Sequence, residues 1–225
     1  MNFRFFDYDV LKSTNDTAKL MARGGEPEGC VVTARSQTGG RGRLDHSFFS
    51  PAGGIYMSLI LRPEFSETQL ITPAAAVAVC RALDDLGFRC GIKWVNDVYK
   101  DGKKVCGILT ESNVEQGWAV LGIGVNTVCP GPGAPGIAGW LYDGEADNAA
   151  VIERILSRFD EIYSRLPDKD FIDYYRSRSC LTGKTLIIDG QTYEYRGIAD
   201  DLSLLAEKDG AVSRFICGEV SVKTV

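Results

Sequence analysis

The chain has one histidine, no Cys-x-x-Cys pair, and no apolar run approaching the roughly eighteen residues of a membrane-spanning helix. With His46 alone, multi-histidine metal sites and any triad that needs another imidazole are excluded. The seven cysteines (Cys30, Cys80, Cys90, Cys106, Cys129, Cys180 and Cys217) are scattered and odd in number, which fits reduced thiols better than a disulfide framework. The opening Met1-Asn2-Phe3-Arg4-Phe5-Phe6-Asp7 has no signal-peptide core, so a cytoplasmic protein without membrane contact is expected. Net charge is −5, which leaves no global electrostatic case for nucleic acid and makes any basic cluster a local device. No Gly-Lys-Ser/Thr stands at Walker spacing and no G-x-G-x-x-G opens a helix. Any chemistry must therefore run on Lys, Arg, Asp and Asn.

A length of 225 residues allows one sizeable core, or one core with a small appended module. Alternation predicts a strand at Phe3–Asp9, Val31–Ser36 is a second and Ile55–Leu61, rich in β-branched and aromatic residues, a third, with a helix begun by Ser13-Thr14-Asn15-Asp16 and stopped at Gly24-Gly25. Thr72-Pro73 reads as the cap and first residue of an apolar, buried helix running to about Leu86. Ile92–Trp94, Val98–Tyr99, Val105–Ser112 and Trp118–Val125 form an antiparallel set with a hairpin at Asp101-Gly102. Gly131–Gly139 is a loop, and Ile152, Ile155, Phe159, Ile162, Tyr163 and Leu166 mark an amphipathic helix ending by Pro167. After Cys180 come five short strand candidates, Lys184–Ile188, Gln191–Arg196, Leu202–Ala206, Ala211–Ile216 and Glu219–Val222, spaced as in a small barrel packed on the larger unit. The expected class is α/β, or α+β, with a mixed and largely antiparallel sheet; the expected domains are residues 1–178 and 179–225.

The segment Gln37-Thr38-Gly39-Gly40-Arg41-Gly42-Arg43 follows a strand directly. Its glycines let a backbone fold closely around a ligand, and its arginines, two apart and so on one side of an extended segment, offer planar forks suited to phosphate or carboxylate. The plainer reading is a mobile connection. Lys93-Trp94-Val95-Asn96-Asp97, with Lys104-Val105-Cys106-Gly107 behind it, could hold a nucleotide with its metal, or could be a solvated hairpin. Lys104 stands out, because Gly107 would let a ligand approach the strand. Ser13-Thr14-Asn15 reads by itself as a helix cap, and the same groups could hydrogen-bond a small polar head. Phe48-Phe49 fits stacking on a base or ordinary packing, and Gly122-Ile123-Gly124-Val125-Asn126 fits closure over a nucleoside or a simple bend. Cys106 beside Lys104 reads as a buried thiol among apolar flanks and not as a nucleophile.

The order Ser-Thr-Asn, Gln-x-x-Gly-Arg-Gly-Arg, Lys-Trp-x-Asn-Asp, Lys-x-x-Gly-Ile-Leu-x-Glu and Gly-x-Gly-x-Asn closely resembles the biotin protein ligases. The resemblance extends over nearly the whole chain, through the terminal Gly218-Glu219-Val220-Ser221. It implies the class II aminoacyl-tRNA-synthetase-like, biotin–lipoate ligase fold with a C-terminal SH3-like barrel. It also implies an ATP-dependent enzyme that makes biotinyl-5′-AMP with Mg²⁺ and passes biotin to a lysine of a biotin carboxyl carrier protein, such as the acetyl-CoA carboxylase subunit.

Carried over by position, Ser13, Thr14, Asn15, Gln37, Gly40, Arg41, Gly42, Arg43, Lys104 and Gly107 would contact biotin. Arg41, Arg43, Phe48, Lys93, Asn96, Asp97 and Asn126 would serve ATP, with Asp97 on the metal; Arg43, Lys93, Asp97 and Lys104 would be catalytic. Val95 stands where the family commonly has proline, Leu44-Asp45 interrupts a Gly-Arg run, Phe48 replaces a frequent tryptophan and Lys223 a frequent arginine. The dozen residues before Ser13 are too few for the DNA-binding domain of family members that double as repressors, so a ligase without DNA binding, and possible as a homodimer, is expected. A lipoate or octanoate ligase shares the fold, but its Gly-Gly-Gly-Ala-Val and His-x-x-Gly-Asn elements are missing. A non-catalytic biotin sensor would need fewer of Arg43, Lys93, Asp97 and Lys104.

Overall fold

Strand parity, which sends successive side chains to opposite faces, divides the large sheet into one face packed by helices and one face only partly covered. The computed structural model describes residues 1–43, 46–64, 68–216 and 220–222. β1 (Arg4–Leu11), α1 (Thr14–Arg23) and β2 (Cys30–Gln37) form a crossover that makes β1 and β2 parallel. β3 (Ile55–Leu61), β4 (Gly91–Lys93), β5 (Asp97–Lys100), β6 (Lys103–Asn113) and β7 (Trp118–Val125) complete a seven-stranded sheet in the order β1-β2-β3-β7-β6-β5-β4, antiparallel from β2 onward.

α2 (Ile71–Asp85) and α3 (Asn148–Tyr163) pack together over one face. That face supplies Met57, Leu59, Leu61, Ile108, Leu121 and Ile123 to the main core. The alternate positions Val32, Ile60, Trp118 and Val120 meet Ala18 and Ala22 of α1 in a second, smaller apolar cluster. α1 is only ten residues long, so it leaves the rest of its face open for a site. β3 is buried along its whole length, which is why its sequence reads as a continuous apolar run.

Between the two sheets lies α4 (Ile172–Ser177), six residues, too short to leave a helical period in the sequence. β8 (Thr185–Ile188), β9 (Gln191–Ile198), β10 (Leu204–Lys208), β11 (Ala211–Phe215) and β12 (Val220–Val222) form a five-stranded antiparallel sheet ordered β11-β10-β9-β8-β12, as fits a small SH3-like domain. Leu186, Ile188, Leu202, Leu204 and Val220 belong to the same core as α2, so the small sheet shares its apolar burial with the large one. Among the described residues no helix is long and apolar enough to cross a membrane.

Two local expectations need correction. Thr72 does not cap α2: a 3-10 turn at Thr68–Leu70 leads into a helix that starts at Ile71, and the Thr72 hydroxyl instead donates to Thr110 Oγ1 at 2.7 Å. The gap before the long helix is also wider than the loop at Gly131–Gly139, because α3 begins only after the Asp147 cap, whose side chain accepts from the Ala150 amide. Phe159, fully buried and stacked on Tyr163 with ring centroids 5.3 Å apart, is the largest aromatic anchor of α3. Phe159→Ala should lower the unfolding free energy by about 3–5 kcal/mol, read as a shifted urea midpoint; a change under about 1 kcal/mol would contradict this packing.

Candidate functional site

The open part of the α1 face is a cavity of about 310 Å³. Its floor is built from small or absent side chains. Gly107 and Gly124 stand opposite each other across β6 and β7, and a Cβ on either would run into the Phe48 ring. A Cβ on Gly122 would fall 2.1 Å from Asn15 Oδ1. β7 therefore runs without a bend through these glycines, whose role is close approach to the side chains above them.

At one end the walls are neutral and polar. Ser13 caps α1 with extended backbone, and its hydroxyl accepts from the Asp16 amide at 3.4 Å. Ser13, Thr14 and Asn15 are all buried. The Thr14 amide and hydroxyl donate to Gln37 Oε1 at 2.8 and 3.2 Å, and Gln37 Nε2 donates to Ser50 Oγ at 2.9 Å. Ser58, fully buried in otherwise apolar β3, donates to Asn15 Oδ1 at 2.6 Å. Asn15 Nδ2 in turn donates to Glu111 Oε2 at 2.9 Å. The helix cap and this polar wall of the cavity are thus one structure.

At the other end the walls are charged. Lys93, Asp97 and Tyr99 share the open face by parity, while Ile92 and Val98 enter the core. Lys104 arrives by a different route. Pairing steps from Val98 opposite Cys106 to Tyr99 opposite Lys104, so Val105 is an extra residue in β6. That bulge resets the alternation, burying both Val105 and Cys106 and turning Lys104 into the cavity. Lys104 Nζ lies 2.7 Å from Asp97 Oδ1 without the alignment of a hydrogen bond, so this buried oxygen has an ionic contact and no aligned donor. Lys104 also sits 5.9 Å from the Phe48 ring centroid, and Lys93 5.8 Å from that of Tyr99.

The Gly/Arg segment forms a tight return. Gly42 donates its amide to His46 O at 2.7 Å and Phe48 its amide to Gly40 O at 2.9 Å, with a bridge between Arg41 and Ser47. Its two arginines reach different partners. Arg41 lies 3.0 Å from Asp16 and 3.5 Å from Glu111, whereas Arg43 donates to Asn96 Oδ1 at 3.3 Å. Both line the cavity, as do Gly42 and Phe48.

Gly40 and Asn126 do not line it. A Cβ on Gly40 would meet Phe48 O and Ser50 Oγ at 2.4 Å, so its part is in packing the loop. Asn126 is buried behind β6, where its Nδ2 donates to Lys104 O at 3.1 Å and its amide to Val105 O at 2.8 Å, clasping the bulge. Leu44, Asp45 and Lys223, together with Cys217, Gly218 and Glu219, lie outside the described residues. Cys106 is fully buried, and that burial drives its thiol pKa far up, in keeping with an inert core residue.

Several lining residues escaped the sequence reading, among them Tyr56, Trp94, Tyr99, His46 and Val220. Tyr99 was accessible through its two-residue spacing from Asp97, and Ser58 through being polar within an apolar strand. The Asp16, Lys19, Arg41 and Glu111 cluster was not, because it joins three distant segments. Lys19 Nζ lies 2.9 Å from Asp16 and 2.8 Å from Glu111.

A family model described as the biotin/lipoate A/B protein ligase family matches residues 8–127, which contain every motif named above. The chain belongs to this family. It is 39% identical over 170 residues to the bifunctional ligase/repressor BirA of Bacillus subtilis, covering 69% of this chain and 52% of that protein. It is 37% identical to a biotin–[acetyl-CoA-carboxylase] ligase of Paracoccus denitrificans, covering 68% of each. The chain thus spans about half the length of its Bacillus relative. Among solved structures, the biotin protein ligase of Aquifex aeolicus in complex with biotin and ATP superposes with a TM-score of 0.86 at 25% identity, over 99% of both chains.

Burial raises the Glu111 carboxyl pKa, but hydrogen bonds from Lys19 and Asn15, with the charges of Lys19 and Arg41, outweigh it and hold the group below its ordinary value. Asp16 is likewise held down by Lys19 and Arg41 against its own burial. Carboxyls depressed in the folded state contribute stability that is present above their unfolded pKa of about 4 and lost as pH falls through the folded values. Acid unfolding curves should therefore show Glu111→Gln losing most of its deficit relative to the parent below about pH 4. A deficit that stays constant from neutral to acid pH would contradict this.

Proposed function

We propose that the chain is an ATP-dependent biotin–[biotin carboxyl carrier protein] ligase, which joins the biotin carboxylate to the α-phosphate of ATP, releases pyrophosphate, and passes biotin from biotinyl-5′-AMP to a carrier lysine. The observation that carries this reading is the polarity of the cavity, with neutral hydrogen-bonding groups at the α1 end and Arg43, Lys93 and Lys104 gathered at the other. Such a cavity suits a ligand with a neutral polar head and an anionic tail. Family membership and the Aquifex protein's complex with biotin and ATP support the choice of biotin and of nucleotide.

In this account Ser13, Thr14, Asn15 and Gln37 receive the head of biotin, and Gly107 lets its chain pass close to the sheet. Lys104 and Arg43 hold the carboxylate, while Arg43, Lys93, Asn96 and Phe48 face the nucleotide. Arg41 steadies the loop through Asp16 and Glu111. In-line attack spreads negative charge over the equatorial oxygens of the α-phosphorus, where fixed cations stabilise the transition state more than the ground state. Closure of the Gly/Arg segment would keep water from the reactive acyl-adenylate.

Asp97 fits a magnesium ion that keeps most of its ligands as water and phosphate: its Oδ1 is buried without an aligned donor, and no cluster of three His, Cys, Asp or Glu exists among the described residues. When bound with ATP, such an ion supplies neutralisation of phosphate charge. Lys104 would then exchange its contact with Asp97 for the biotin carboxylate.

Incubation with biotin, ATP, Mg²⁺ and an apo carrier domain should yield biotinylated acceptor; no product, or a preference for lipoate or octanoate, would overturn the reading. Lys104→Ala should slow biotin-dependent pyrophosphate release by on the order of a hundredfold. An unchanged rate would remove Lys104 from the carboxylate.

A further inference from the structure

The segment from Lys93 to Asp97, which carries most of the nucleotide-facing groups proposed above, is held by its own sheet mainly at one end, where Asn96 O accepts from the Ile108 amide at 3.0 Å and Asn96 Nδ2 donates to Ile108 O at 2.9 Å. β4 has three residues, lies at the sheet edge and pairs only with β5. What fixes the other end, from Ile92 to Val95, comes from the C-terminal part of the chain. The Ile92 amide donates to Arg178 O at 2.7 Å, and the Cys180 amide donates back to Ile92 O at 2.9 Å. Tyr175, buried in α4, donates its hydroxyl to Val95 O at 3.2 Å.

The most remote of these ties is made by Trp94. Trp94 borders the cavity, belongs to the main core with only 4% exposure, and donates Nε1–H to Leu202 O at 2.8 Å, in the turn between β9 and β10. That turn is built to present the carbonyl. Leu202 has φ +65°, a left-handed conformation costly for a residue with a branched side chain, and its side chain is nonetheless buried. The Leu202 amide donates to Ala199 O, the Ala199 amide to Ser203 O, and the Ser203 amide to Asp201 Oδ1 at 3.0 Å. Asp201 is tied in turn to Arg214 of β11 at 3.0 Å.

We infer that Trp94 is a positioning residue through which the small C-terminal domain sets the geometry of Lys93, Asn96 and Asp97, so that nucleotide handling depends on the Trp94–Leu202 bond and binding of biotin alone does not. The groups assigned to the head of biotin sit at the start of α1 and the end of β2 and make no use of this strut. Trp94→Phe keeps an aromatic ring and removes only the indole donor, so its effect falls on the Leu202 carbonyl, which loses its partner, and on the tether between the two segments. The inference rests on the ligase reading for its kinetic part, and a measurement without substrates tests the coupling itself.

The experiment compares the full chain with Trp94→Phe, with Asp201→Ala, which loosens the turn from its exposed side, and with Trp118→Phe, which removes an indole bonded to Gln116 far from the turn. Trp94→Phe should raise the KM for ATP or lower kcat for biotin-dependent pyrophosphate release about tenfold, with calorimetric biotin affinity in the absence of ATP unchanged within twofold. Asp201→Ala should move the same parameter in the same direction and by less, and Trp118→Phe should leave it unchanged. In hydrogen exchange without ligands, Trp94→Phe should lose protection in residues 92–98 and 199–204 together. Equal weakening of biotin and ATP parameters, or unaltered exchange in the 199–204 turn, would overturn the inference. If the parent chain releases no pyrophosphate with biotin, the ligase reading fails, and the exchange result alone decides the coupling.

Discussion

Everything in the site depends on how unequally the two faces of one sheet are covered. α2 and α3 seal one face with a continuous apolar core, while α1 covers only part of the other. A half-covered sheet face must be polar, glycine-rich or filled by a ligand, since exposed apolar floor would favour association. Here it is the first two, and the glycines at 107, 122 and 124 make it a floor on which side chains and a ligand can lie close to the backbone. α1 fixes the limits of that floor, and its N-terminus supplies the polar wall.

The charged wall depends on a single inserted residue. Regular alternation through β6 would place Lys104 on the same side as Cys106, against the core. The bulge at Val105 avoids that cost and delivers an ammonium to the site, paired for the present with Asp97. Asn126 holds the bulge from behind by bonding to Lys104 O and Val105 O. Gly40 is comparable: its missing side chain lets Phe48 and Ser50 close the loop.

Much of this was legible in the chain because its elements have strong local periods. The strands from β2 to β7, the apolar helix α2, the amphipathic α3 and the five short C-terminal strands all follow from alternation, helical spacing and turn residues. The resemblance of ordered motifs then brought Ser13, Thr14, Asn15, Gln37, Arg41, Gly42, Arg43, Phe48, Lys93, Asn96, Asp97, Lys104 and Gly107 to one cavity wall or another. What escaped is non-local. α4 has too few residues for a period, Thr72 is drawn from a capping role by Thr110 across the fold, and Arg41 and Arg43 reach partners from different segments, Asp16 with Glu111 and Asn96. The consecutive buried Val105 and Cys106 were the visible trace of the bulge, yet only the register identifies them as such.

The central claim is that this cavity joins a carboxylate to a nucleotide phosphate, and the reversible form of that step isolates it from any carrier protein. Exchange of labelled pyrophosphate into ATP by the purified chain should appear with Mg²⁺ only when biotin is added. Exchange that proceeds equally without biotin, or that never appears with it, would contradict the account.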